Sequence, residues 1–118
     1  MKLTKFELSY IETALWASID LEDDEPMDSK FGVEDFAPET LELIRKDCEK
    51  FLELIKGIEV EESDSKIAHD FWLTRNRHGA GFWDGDYPKE VGEKLTEISK
   101  KFGEINLYSG DDGKLYLA

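Results

Sequence analysis

The chain is short of reactive and ligating residues: among 118 residues there is one cysteine, two histidines and two methionines. A single thiol, Cys48, excludes an internal disulfide, and its place in an apolar helical stripe marks it as a buried small hydrophobe. No apolar run approaches the roughly 20 residues that span a bilayer, and Met-Lys-Leu-Thr-Lys leads into an amphipathic segment without an apolar signal core. No membrane association and a cytosolic location are therefore expected. Basic residues are also scarce, 15 against 28 acids for a net charge of -13. Residues 1–64 carry 19 acids and 7 bases, while residues 65–118 carry 9 and 8. That balance repels nucleic acid and anionic lipid, and it favours a cationic protein surface or plain solubility.

What is present is globular. Hydrophobic residues make up 40% and aromatics 12%, enough for one core at this length. A single domain over 1–118 is expected, with a helical acidic half (1–57) and a strand-rich half (68–118). Thr4 and Glu7 have capping-box spacing, and Leu8, Ile11, Leu15 and Ile19 predict a helix over about 4–19. Asp20-Leu-Glu-Asp-Asp-Glu-Pro-Met-Asp28 reads as a solvated acidic loop. Its carboxylates Asp20, Glu22, Asp23, Asp24, Glu25 and Asp28 form a candidate acidic surface. They lack the spacing and the glycine of an EF-hand, so no metal or other cofactor is expected.

Pro38 opens a second helix whose stripe is Leu41, Ile44, Cys48, Phe51 and Ile55, with Gly57 as its stop. Pro88, Val91, Leu95, Ile98 and Phe102 predict a third helix ending at Gly103. Phe71–Thr74 and Gly79–Trp83 read as one hairpin, and 104–109 with 114–117 around Gly110-Asp-Asp-Gly113 as another. The expected fold is α+β in the order α-α-β-β-α-β-β, a four-stranded antiparallel sheet of two hairpins with helices mainly on one face.

The densest stretch is His69-Asp-Phe-Trp-Leu-Thr-Arg-Asn-Arg-His78-Gly-Ala-Gly-Phe-Trp-Asp84, which holds both histidines and two of the three tryptophans. As a hairpin it has two readings. The glycines either receive a bulky neighbour of the same fold or floor a groove walled by Trp72 and Trp83 and rimmed by Arg75, Asn76, Arg77 and His78, with Asp84 beside it. Stacking and phosphate contacts would also suit single-stranded nucleic acid, but two arginines on so acidic a domain are few. An enzyme or ligand-binding domain built on His69, His78 and Asp84 is the alternative. No nucleophile elbow, phosphate loop or zinc spacing supports it, so no catalytic residue is assigned.

The run Ala68–Asp84 resembles a segment of small uncharacterised proteins encoded by tailed bacteriophages. So do Glu12-Thr-Ala-Leu-Trp16, Ala37-Pro-Glu-Thr-Leu41, Asp47-Cys-Glu-Lys-Phe51 and Leu107-Tyr-Ser-Gly-Asp-Asp-Gly-Lys-Leu-Tyr116, so the likeness covers most of the chain. The pattern carries glycine before the motif's second histidine, where this chain has Arg77. The resemblance implies a phage origin and no particular chemistry. By analogy with other small acidic phage proteins, it implies an accessory role in the host cytoplasm, engaging a host protein such as a nucleic-acid enzyme or defence complex. Either the acidic helical half, acting as a phosphate mimic, or the motif would supply the contact.

Overall fold

A computed structural model describes residues 2–20, 24–77, 81–83 and 86–118. Its elements run α1 (Lys5–Ala17), β1 (Ile19–Asp20), β2 (Glu25–Pro26), two short 3-10 turns (Met27–Ser29 and Val33–Asp35), α2 (Pro38–Leu54), α3 (Asp64–Arg75), α4 (Lys89–Lys100), β3 (Leu107–Ser109) and β4 (Leu115–Leu117). The α+β class holds, but among the described residues the four-stranded sheet does not form, and Gly79 and Ala80 of its expected second strand lie outside them. Two separate two-stranded antiparallel ribbons, β1–β2 and β3–β4, take its place.

The correction lies in the dense motif. Phe71–Thr74, expected as a strand, belongs to α3, which Ser63 opens by accepting the Lys66 N–H at 3.2 Å. A run of β-branched and aromatic residues reads as a strand when its apolar period is hidden. Here the period is hidden because α3 is buried nearly all round: Ile67, Ala68, Phe71 and Trp72 lie on one side, and Asp70, Leu73 and Thr74 are equally enclosed. The helix breaks at Arg77, whose φ of 57° is in the left-handed region. Arg77→Gly is expected to raise stability by up to about 1 kcal/mol in urea unfolding, since glycine removes the backbone strain. The exposed Arg77–Glu104 pair at 3.3 Å that it forfeits is of the kind that contributes little.

Several other elements follow their sequence signals, but residues 20–28, expected as a solvated loop, contribute to β1, β2 and a 3-10 turn. The capping box of α1 is formed, with Thr4 Oγ1 accepting from Glu7 N at 3.1 Å and Glu7 Oε1 accepting from Thr4 N at 2.9 Å. Pro38 occupies the first turn of α2, and Gly103 ends the α4 region with φ 76°. Ile19, expected on the packing face of α1, lies instead in β1 and is 56% exposed. Its place inside is taken by Phe6, Tyr10 and Ala14.

The core contains a cluster of aromatic rings. Phe51 of α2 stacks on Phe71 of α3 at 4.0 Å and on Phe82 at 5.9 Å, while Tyr10 meets Trp72 edge-on at 5.3 Å. Arg75 enters this core. Its Nε donates to Gly103 O at 3.0 Å, its Nη1 to Tyr10 Oη at 3.0 Å and Asp47 Oδ2 at 2.7 Å, and its Nη2 to Phe102 O at 3.1 Å. One guanidinium thus ties α1, α2 and the C-terminal end of α4 to α3, where a cation also suits the negative end of the α4 dipole.

Burial raises the Cys48 thiol and the Tyr10 and Tyr87 hydroxyls above their ordinary values of 9.0 and 10.0, and for Tyr87 the bond to Asp70 adds to it. Above pH 9 the unfolded chain therefore releases protons that the folded chain keeps. The stability these groups contribute is complete below their ordinary values and is lost as pH climbs from there toward the raised folded ones. Urea midpoints should be flat for these groups between pH 7 and 8.5 and fall steadily from pH 9 upward. A midpoint that rises in that range would contradict the burial of all three.

Candidate functional site: a groove between the two ribbons

The failure of the four strands to join leaves a groove of about 590 Å³ between them. Its walls are Ile19 of β1 and Leu107, Tyr108 and Ser109 of β3, and Trp72 and Asn76 of α3 line it as well. The hydrogen-bond pattern determines which backbone groups face outward. Asn106 exchanges both bonds with Ala118, and Gly110 donates to Lys114 O, so residues 106, 108 and 110 point at β4. Leu107 and Ser109 therefore turn their N–H and C=O groups away from it, and no described residue meets them. Parity in the other ribbon is equivalent: Met27 N donates to Ser18 O, which puts the backbone groups of Ile19 on the outer edge.

The opposite edge of the β3–β4 ribbon is closed. Leu115 O accepts from Ala37 N at 3.2 Å and from Thr40 Oγ1 at 2.9 Å, where Phe36 bridges to β4. The open edge carries no proline and no charge over Ile105-Asn-Leu-Tyr-Ser109, so two of the usual guards against strand addition are missing, and the short length of β3 is the one that remains along Leu107–Ser109. Asn76 holds this edge against α3: its Oδ1 accepts from Ile105 N at 2.8 Å and its Nδ2 donates to Trp72 O at 3.0 Å. Trp72 itself is 2% exposed, and its Nε1 is the one buried side-chain polar atom among the described residues without a partner. An unpaired buried donor costs about 1–3 kcal/mol.

The expected contact residues fall on both sides of this surface. Trp72 and Arg75 are core residues, Asn76 is half-buried at the groove, and Arg77 is exposed and paired with Glu104. Trp83 is 55% exposed, whereas His78 and Asp84 lie outside the described residues. Of the acidic set, Asp24, Glu25 and Asp28 are exposed and Glu22 and Asp23 lie outside the described residues. Asp20 is buried against Lys30 Nζ at 2.6 Å.

His69, the other half of the enzyme alternative, sits in a shallow cleft between α1 and α3. Its Nδ1 is 3.1 Å from Thr13 Oγ1, and its ring lies 5.6 Å from that of Trp16. Because the Thr13 hydroxyl donates to Ser9 O at 2.7 Å, it accepts from Nδ1–H, which leaves Nε2 with the lone pair in the neutral ring. Among the described residues no group of three metal-ligating side chains converges, and no helix is long and apolar enough to cross a membrane.

Sequence reasoning missed Ile19, Leu107, Tyr108 and Ser109. The alternation in 105–109 was visible, but which edge of the ribbon stays open depends on Ala37 and Thr40, far away in sequence. No family model matches this chain, and no curated protein or solved structure matches it either.

Proposed function

We infer that the protein is a phage-encoded accessory protein that works in the host cytoplasm as a binding module for a host protein, with the groove between the ribbons as its contact surface. The observation that carries this reading is the outward edge of β3, free of proline and charge, along a groove with apolar lining. Apolar side chains exposed at its rim, Ile19 and Tyr108, are of the kind that anchor interfaces. The net charge of -13 draws a cationic partner toward the domain and discourages nucleic acid, and Arg75 is held in the core, where it cannot meet a phosphate.

The test is affinity capture from host lysate with wild type and with an Ile19→Glu/Tyr108→Glu variant. Both positions are exposed, so the variant should lose no more than about 1 kcal/mol of stability. A specific partner retained by wild type and absent with the variant is the expected result, and identical partner sets would refute the groove. Trp72→Ala or Arg75→Ala would be uninformative in this assay, because both side chains hold the core.

A further inference from the structure

We propose that the groove takes its occupant as an added β-strand: an extended, net-basic segment of a partner protein lies along β3, bonded to the outward backbone groups of Leu107 and Ser109. This deepens the reading above and rests on it. Three features specify an extended chain rather than a helix or a small molecule. Unsatisfied donors and acceptors recur at alternate residues of β3, the repeat that only another strand matches. Ile19 of β1 lines the same groove, and its backbone groups lie on the side of that ribbon away from β2. The groove is apolar at Leu107, Met27 and Trp72, which suits the alternate side chains of an added strand.

The occupant's charge follows from the domain's. Asp20 and Glu104 on the rim already have Lys30 and Arg77 as partners, so local ion pairing gives little selectivity. The whole-molecule charge of -13 supplies it instead, raising the encounter rate of a basic segment over an acidic one.

The experiment titrates the ¹⁵N-labelled protein with a short peptide alternating lysine and valine, and with two versions of it N-methylated on one or the other set of alternate residues. The Leu107 and Ser109 amides should shift, with Asn106 and Tyr108 amides, already bonded across the ribbon, moving less. One methylated register should bind like the parent and the other should fail. In the protein, Ser109→Pro removes an outward N–H without breaking a β3–β4 bond, and should weaken peptide binding roughly tenfold while Ser109→Ala does not. Equal binding by both methylated peptides within the groove would overturn strand addition and leave the groove as a contact surface. No shift in residues 104–109 at saturating peptide would also overturn strand addition, while the lysate variants decide the groove on their own.

Discussion

Arg75→Met should lower the free energy of unfolding by about 3–5 kcal/mol, the scale expected when one member of a buried charged network is removed. Methionine fills similar space, so the loss is electrostatic and not a cavity. It strands Tyr10 Oη inside the core, leaves the Phe102 and Gly103 carbonyls without donors and removes the cation from Asp47 Oδ2 at 2.7 Å. Lysine should not rescue it, since an ammonium group cannot reproduce a planar fork that bonds in four directions. The neighbouring Arg77→Ala, at an exposed position, should change stability by no more than about 0.5 kcal/mol. Urea unfolding of the three variants checks this. A loss below about 1 kcal/mol for Arg75→Met would mean that the guanidinium is not the tie between α1, α2 and α4 that its bonds describe.

Gly81→Ala should cost about 2–5 kcal/mol, combining backbone strain with overpacking. Gly81 has φ 146°, a conformation L side chains rarely adopt, and a Cβ there would stand 2.3 Å from Thr74 Oγ1. The hydroxyl cannot turn aside without loss, because it accepts from Phe82 N at 3.1 Å in a buried setting. Adding Thr74→Ala to Gly81→Ala should therefore cost less than the sum of the two single changes, since the double variant has no hydroxyl left to clash with. Thermal unfolding of the single and double variants measures that coupling, and strict additivity would count against the close approach. Gly57→Ala is a useful contrast. It has φ 90° with nothing near its added Cβ, so only the strain remains, at about 1 kcal/mol.

These two residues also show how much could be read from the chain. The dense motif is recognisable by composition, but both of its readings assume a hairpin, whereas the residue beside Gly81 is the small Thr74 of a helix, and Gly79 and Ala80 lie outside the described residues. The neighbour comes from within the motif itself and not from across a sheet. A similar approach brings α4 in at Gly92, where a Cβ would lie 2.6 Å from Phe82 O. Helices with one apolar face, α2 and α4, were legible from their stripes, caps and glycine stops. The helix α3 was not, because burial on all sides erases the period that distinguishes a helix from a strand. Arg75 reads in the sequence as a surface cation because most arginines are. Its burial depends on acceptors from Tyr10, Asp47, Phe102 and Gly103, a constellation that only tertiary structure assembles. The open edge of β3 is of the same kind, a consequence of two ribbons that stay apart.

The most direct measurement of the central idea is amide hydrogen exchange of the protein alone and in complex with the partner captured from host lysate. If the groove is the contact surface, protection on binding should concentrate in residues 104–109 and 17–20 and be strongest at Leu107 and Ser109. Protection confined to the exposed carboxylates of α2 or to the cleft of Trp16 and His69, with 104–109 unchanged, would contradict it.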